Sequence, residues 1–169
     1  MTAGEGLDGF PWPTDYRDFD IRIGADGTWY HQGGAITRLK LCQLFATILQ
    51  RDADGVYWLV TPVERGRIEV EDVPFHVVEM RLENPGRDQL LHFRTTLDHW
   101  VSAGPENAIR ITEDAETGEP SPYIMIRDGL EARISRPVYY DLVALAGERR
   151  QKGWTVVEIA SGGCRFELG

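Results

Sequence analysis

Ile36-Thr37-Arg38 and Ile134-Ser135-Arg136 stand 98 residues apart, and each opens onto an amphipathic run. The two stretches stay in register without a gap through Gly55-Val56-Tyr57-Trp58 and Gly153-Trp154-Thr155-Val156. A repeat of this extent constrains the fold more than any single motif, because whatever supersecondary unit the first copy builds must be built again by the second.

The first copy reads as hairpin, helix, strand. Ile21-Arg22-Ile23 alternates as a strand does, and Asp26-Gly27 suits a type I′ turn. Thr28 to His31 supplies the return strand. Thr37 is placed to cap a helix running from Arg38 to about Arg51, with Leu41, Leu44, Phe45 and Ile48 as its buried stripe. Asp52 to Gly55 ends that helix, and Val56 to Val60 reads as a buried strand. The second copy follows the same plan: strand Ile124-Met125-Ile126, turn Asp128-Gly129, return strand Leu130 to Ile134 and capping Ser135. Its helix carries Tyr139, Leu142, Val143 and Ala146, and Trp154 to Ile159 closes the unit.

Between the copies, Ile68 and Val70 alternate with Glu69 and Glu71. Phe75 to Leu82 and Leu90 to Thr95 read as a hairpin around Asn84-Pro85-Gly86-Arg87. Trp100-Val101 and Ile109 to Ile111 are further strands, and Thr112 to Pro122 reads as an exposed loop. The expected fold class is α+β and mostly antiparallel, with two repeated hairpin-helix-strand units joined by a central antiparallel β-rich segment. The expected layout is a loosely ordered arm (1–15, anchored by Phe10 and Trp12), a first repeat (16–62), a central bridge (63–122) and a second repeat (123–169).

Charge narrows the function classes. A net charge of −9 on 169 residues disfavours a nucleic-acid backbone and an anionic membrane surface, both of which attract clustered cations. No apolar run approaches the roughly 20 residues that span a bilayer. The N-terminus has neither a basic start nor an apolar signal core. Cys42 and Cys164 occupy unmatched positions and read as reduced thiols, so a cytoplasmic protein is expected.

Asp20-Ile21-Arg22-Ile23, Asp26-Gly27-Thr28-Trp29-Tyr30-His31-Gln32-Gly33 and Ile36-Thr37-Arg38 together resemble a bacterial family described as domain of unknown function 1285. Tyr57 to Glu64, Val70 to Phe75 and His92-Phe93-Arg94-Thr95 fit the same pattern. The resemblance covers nearly the whole chain. It implies an α+β protein with a repeated motif and a role in small-molecule sensing or signalling, without an established activity.

Catalytic signatures are absent from the sequence: no serine lies in a nucleophile elbow, and Ser161-Gly162-Gly163 lacks the lysine of a phosphate loop and reads as a turn. His31, His76, His92 and His99 lack metal-ligand spacing and read as hydrogen-bonded structural side chains, so no metal or cofactor is expected. The carboxylates Glu64, Glu69, Glu71 and Asp72 alternate as the solvent face of an edge strand would. The candidate ligand-binding residues are Trp29, His31, Arg38, Thr61, Glu64, Asp72, Arg94 and Arg136. Thr61-Pro62-Val63-Glu64 ends a buried strand with polar groups, Arg94 adds a cation, and Arg38 and Arg136 stand at matching helix starts where an anion could be gripped. The expected function is a small-molecule-binding regulatory module for a small anionic or polar ligand. The alternatives are a hydrolase or lyase using carboxylate and histidine acid–base groups, and a protein-interaction or oligomerisation module whose partner is a second copy of the chain or another protein.

Overall fold

The computed structural model describes residues 12–169. The expected arm, as far as residue 11 and with it Phe10, lies outside the described residues. The chain divides into two units at the Pro74–Phe75 bond.

The first unit consists of β1 (Tyr16–Ile23), β2 (Trp29–His31), β3 (Gly34–Ala35), α1 (Leu39–Thr47), β4 (Leu49–Arg51), β5 (Tyr57–Val60) and β6 (Arg65–Val70). These strands form one sheet in the order β3-β2-β1-β6-β5-β4. Its pairings are antiparallel except β1 with β6, which run parallel. Ile21 and Ile23 point inward while Arg22 points out, and Trp29, Leu49, Leu59 and Ile68 complete the apolar face. Beside it Arg65 is buried, its guanidinium 4.2 Å from the Trp58 ring centroid, 5.6 Å from that of Tyr16 and 5.8 Å from that of Trp12. Trp58 in turn donates its indole N–H to Asp52 at 2.9 Å.

The expected helix to Arg51 is shorter than its apolar spacing suggested. It stops at Thr47, whose hydroxyl turns back to Leu44 O, and Leu49–Arg51 becomes a strand paired with Tyr57–Leu59. Asp52 to Gly55 is therefore a hairpin turn: Asp52 Oδ1 accepts the Asp54 and Val56 N–H groups, and Gly55 N–H donates to Asp52 O. The N-cap is Arg38, with no side-chain cap bond, so Thr37 sits one residue too early to serve. The buried face of α1 is centred on Cys42 and on Phe45, which stacks on Trp29; this rotation leaves Leu44 59% exposed. At Asp26-Gly27 only Gly27 takes a positive φ, so the turn is not type I′. Gly24 N–H closes it onto Thr28 O, and Asp26 Oδ1 accepts the Thr28 N–H.

The second unit consists of β7 (Phe75–Glu83), β8 (Leu90–Thr95), β9 (Trp100–Ser102), β10 (Ile109–Glu113), β11 (Pro120–Arg127), β12 (Leu130–Ile134), α2 (Arg136–Leu145), β13 (Gly147–Gln151), β14 (Trp154–Ser161) and β15 (Cys164–Glu167). One sheet runs β10-β11-β12-β7-β8-β9, with β12 and β7 parallel, and β13-β14-β15 form a second sheet. Val77, Leu91, Phe93, Ile124, Leu130, Ile134, Leu142 and Ile159 are its fully buried core. Asp128 and Gly129 both have positive φ, as a type I′ turn requires, and so do Gly162 and Gly163 between β14 and β15.

The structure departs from expectation here too. Thr112 to Pro122 is not one loop: β10 runs through Glu113 and β11 begins at Pro120, pairing Glu113 with Pro120. Ser135 is the N-cap of α2 but makes no side-chain cap bond; its carbonyl accepts the Tyr139 N–H. Val138 and Leu142 form the buried face of α2, and Val143 turns outward. The strands between the two copies form no sheet of their own, since β6 belongs to the first sheet and β7 to β10 belong to the second. The fold is α+β, built mostly of strands, with two helices among the described residues.

Candidate functional site

The recess with the clearest structural cause lies in the first unit, along the parallel pairing of β1 and β6. Asp18 pairs with Arg67 and Arg22 with Glu69, so four steps on β1 face two on β6. The surplus makes β1 bulge, and a bulge locally disrupts the ladder and bends its strand. Phe19 is accommodated because Gly66 has no side chain: a Cβ there would lie 2.0 Å from the Phe19 ring. The bulge opens a hollow of about 380 Å³ lined by Asp18, Phe19, Asp20, Arg22, Tyr30, Arg67 and Glu69. A neighbouring hollow of about 490 Å³ shares Arg22, Arg67, Ile68 and Glu69 and adds Tyr57 and Glu71.

Charge in this groove is mixed but unbalanced. Asp18, Asp20, Glu69 and Glu71 bring four carboxylates against the guanidiniums of Arg22 and Arg67, a surplus of two negative charges. Both arginines are engaged. Arg22 lies 4.1 Å above the Tyr30 ring centroid and 3.4 Å from Glu71, which also accepts the Ala25 N–H; Arg67 reaches Asp18 at 4.0 Å. These pairs are exposed and each contributes little to stability, roughly 0–1 kcal/mol. They tie Glu71 and Asp18 to the two arginines, and Asp20 and Glu69 are the other carboxylates that line the hollows.

Of the eight residues singled out from the sequence, six belong to the first unit and two to the second. Trp29 is buried against Phe45, its indole N–H without a hydrogen-bond partner among the described residues. His31 is exposed at the end of β2, and Arg38 is exposed at the start of α1. Thr61 and Glu64 close the turn between β5 and β6: Thr61 N–H and Oγ1 donate to Glu64 O, and Thr61 Oγ1 accepts the Glu64 N–H. The Glu64 carboxylate meets Arg17 at 3.2 Å, and Asp72 is exposed just after β6. Arg94 and Arg136 belong to the second unit. Arg94 donates to Glu79 at 2.6 Å, and Arg136 is bonded to Glu119 beside a hollow of about 100 Å³ that Arg133 and Tyr139 also line. Burial, reinforced by the charge of Glu113, pushes the Tyr139 phenol above its ordinary value.

Sequence reasoning missed the groove because it took Glu69 for the solvent face of an edge strand. β6 is interior, flanked by β1 and β5, and Glu69 lines both hollows. A signal was present in Asp18-x-Asp20-x-Arg22 and Arg67-x-Glu69-x-Glu71, two runs that place charges of both signs at every second position.

The N-terminal model described as domain of unknown function (DUF1285) matches residues 11–73. The C-terminal domain of the same description, protein of unknown function (DUF1285), matches residues 74–168. The chain belongs to the DUF1285 family. The crystal structure of a DUF1285 family protein from Silicibacter pomeroyi DSS-3 is similar over 99% of this chain and 89% of that one, at 38% identity and a TM-score of 0.83. A DUF1285 family protein from Shewanella baltica OS155 is similar over 75% of this chain and 92% of that one, at 28% identity and a TM-score of 0.58. No curated protein matches the chain. The family assignment, whose two DUF1285 parts meet next to the boundary between the two units, carries a fold and no activity.

Proposed function

We propose that this DUF1285 protein is a small-molecule-binding regulatory module whose site is the groove along β1 and β6. The observation that carries the reading is the bulge between Asp18 and Arg22, which opens a recess in an otherwise continuous sheet and surrounds it with outward-facing charges and Tyr30. Concave sites with a few convergent polar groups beside aromatic faces are the usual form of a ligand site. The surplus of carboxylates favours a small polar ligand bearing a cationic amine over an anion. Arg22 and Arg51 already lie over the Tyr30 and Tyr57 rings, so the carboxylates carry the attraction. The overall charge of −9 acts in the same direction by steering cations toward the surface.

Thermal-shift and calorimetric titrations with spermidine, arginine and inorganic phosphate test this. An amine at 100 times its dissociation constant should stabilise the protein by about 2.7 kcal/mol, with no effect from phosphate. The double variant D20N/E69Q should bind the amine at least tenfold more weakly. Equal binding by that variant, or a response to phosphate alone, overturns the reading.

Two further parts of the reading rest on the chain itself. Adding 98 to the residue numbers of α1, β4, β5 and β6 gives positions that coincide with or overlap α2, β13, β14 and β15, which supports a duplicated hairpin-helix-meander unit. The two meanders have diverged in partner: β4 to β6 join their hairpin's sheet through β1, whereas β13 to β15 form a separate sheet. The free thiols of Cys42 and Cys164 support a reducing, cytoplasmic setting. No helix among the described residues is long and apolar enough to cross a membrane.

A further inference from the structure

Three adjacent strands of the second unit place a serine, a histidine and a carboxylate in a chain of short contacts. Ser102 Oγ on β9 lies 2.6 Å from His92 Nδ1 on β8, and His92 Nε2 lies 2.7 Å from Glu83 Oε2 on β7. The register explains the meeting. Ser102 is the cross-strand partner of His92, and Glu83 projects from the same sheet face one diagonal away, at the start of the β7–β8 ladder. An ionised carboxylate can only accept, so in the neutral imidazole Nε2 must carry the proton. Nδ1 is then the acceptor, and the hydrogen bond to it comes from the Ser102 hydroxyl. That polarity is what a nucleophilic serine needs: a base taking its proton, and a third group fixing the tautomer and stabilising the imidazolium that forms.

We propose that Ser102 is an activated nucleophile, with His92 as its general base and Glu83 as the positioning residue, directed at carboxylic esters. Ser102 Oγ attacks the ester carbonyl carbon while its proton passes to His92 Nδ1. The carbon–oxygen bond to the alcohol then breaks, and the departing alkoxide takes the proton back from His92. The product is an acyl-Ser102 and a free alcohol. Water, deprotonated by the same nitrogen, releases the acid and restores Ser102.

Two features of the strand fit this role. β9 is the edge of its sheet, and Ala103 N–H donates to Leu91 O on the β8 side. Antiparallel alternation therefore turns the Ser102 N–H away from β8, where it can donate to the oxygen that becomes negative during attack. Trp100, two residues earlier on the same face, carries the Arg81 guanidinium over its ring at 4.7 Å, a cation beside the site for a substrate carboxylate or the developing negative charge. Neither histidine spacing nor a serine motif announces this arrangement, because its three members come from three strands.

A fluorophosphonate probe on the full-length protein tests the proposal, with peptide mapping to locate the adduct and p-nitrophenyl acetate to follow turnover. Labelling should fall on Ser102, disappear in S102A, and slow by about 10²–10⁴-fold in H92Q, the range typical of a lost general base. E83Q should slow it by less. A second variant, S102C, guards against a misfolded S102A: its thiol should react with iodoacetamide faster than the same thiol in S102C/H92Q. Labelling no faster than in urea-unfolded protein, or equal rates in wild type and H92Q, sinks the idea. Equal thiol reactivity in the two cysteine variants would do the same.

Discussion

At the scale of single residues, Gly66 and Asp52 show how little freedom the first unit has. Gly66 is required by what lies over it rather than by its own backbone, since a Cβ there would sit 2.0 Å from the Phe19 ring. Gly66→Ala forces that ring off the strand. Overpacking of this kind typically costs about 1–3 kcal/mol. Because Phe19 also lines the groove, the same change should weaken amine binding while Arg67 and Glu69 remain in place. Denaturant unfolding followed by tryptophan fluorescence, together with the calorimetric titration, checks both effects; unchanged stability would show that the ring finds another seat. At Asp52, burial alone would raise the carboxyl, but hydrogen bonds from Trp58, Val56 and Asp54 and the nearby Arg65 charge hold it below its ordinary value. A depressed carboxylate stabilises the native state fully above its unfolded value. That contribution fades as the pH falls below about 4 and through the native value. The urea midpoint should therefore drop between pH 7 and pH 3 by more in the wild type than in D52N. Equal drops would place the acid sensitivity elsewhere.

At the scale of elements, the β14–β15 hairpin is fastened by Ser161 to β8 and to Ala103, just past β9. Its hydroxyl accepts the Leu91 N–H at 2.9 Å and donates to Ala103 O at 2.9 Å, fully buried. Gly162 then passes so close that a Cβ would lie 2.6 Å from Ala103 O. Ser161→Ala strands one buried donor and one buried acceptor, each worth about 1–3 kcal/mol when left unmet. Scanning calorimetry should record a melting point lower by at least about 4 °C, for a loss of at least about 2 kcal/mol. A change under 1 °C would mean that water replaces the hydroxyl.

The same elements show what the sequence could reveal. Strands with strict alternation, such as Leu90 to Thr95 and Leu130 to Ile134, are legible because one buried face imposes a period of two. Leu49-Gln50-Arg51 is not, since Ile48 and Leu49 also continue a helical stripe. What decides is the partner Tyr57-Trp58-Leu59 and the Asp52 turn that brings it back. Parallel pairing leaves no local trace either, because Tyr16 and Arg65 meet across 49 residues. The groove depends on that pairing's register, so its residues were visible as charges but not as neighbours. Thr61 and Glu64 illustrate the converse: polar residues at a strand end look like a binding edge, and they bond to each other across a turn.

At the scale of the whole molecule, each sheet draws all its strands from one unit, and each unit contains one parallel pairing that joins distant strands. In the first unit that pairing links the opening strand to the last one, β1 to β6. A chain emerging from the ribosome can form the β1–β2 hairpin and the β4–β5 hairpin as soon as each is made. It has no way to unite them until Arg65–Val70 has left the exit tunnel. Until then β1 presents an open edge, and the groove does not exist, because one of its two walls has yet to be synthesised. On the proposed binding role, ligand capture would be tied to completion of the unit: a nascent or truncated chain ending before β6 would carry every residue of β1 and bind nothing there.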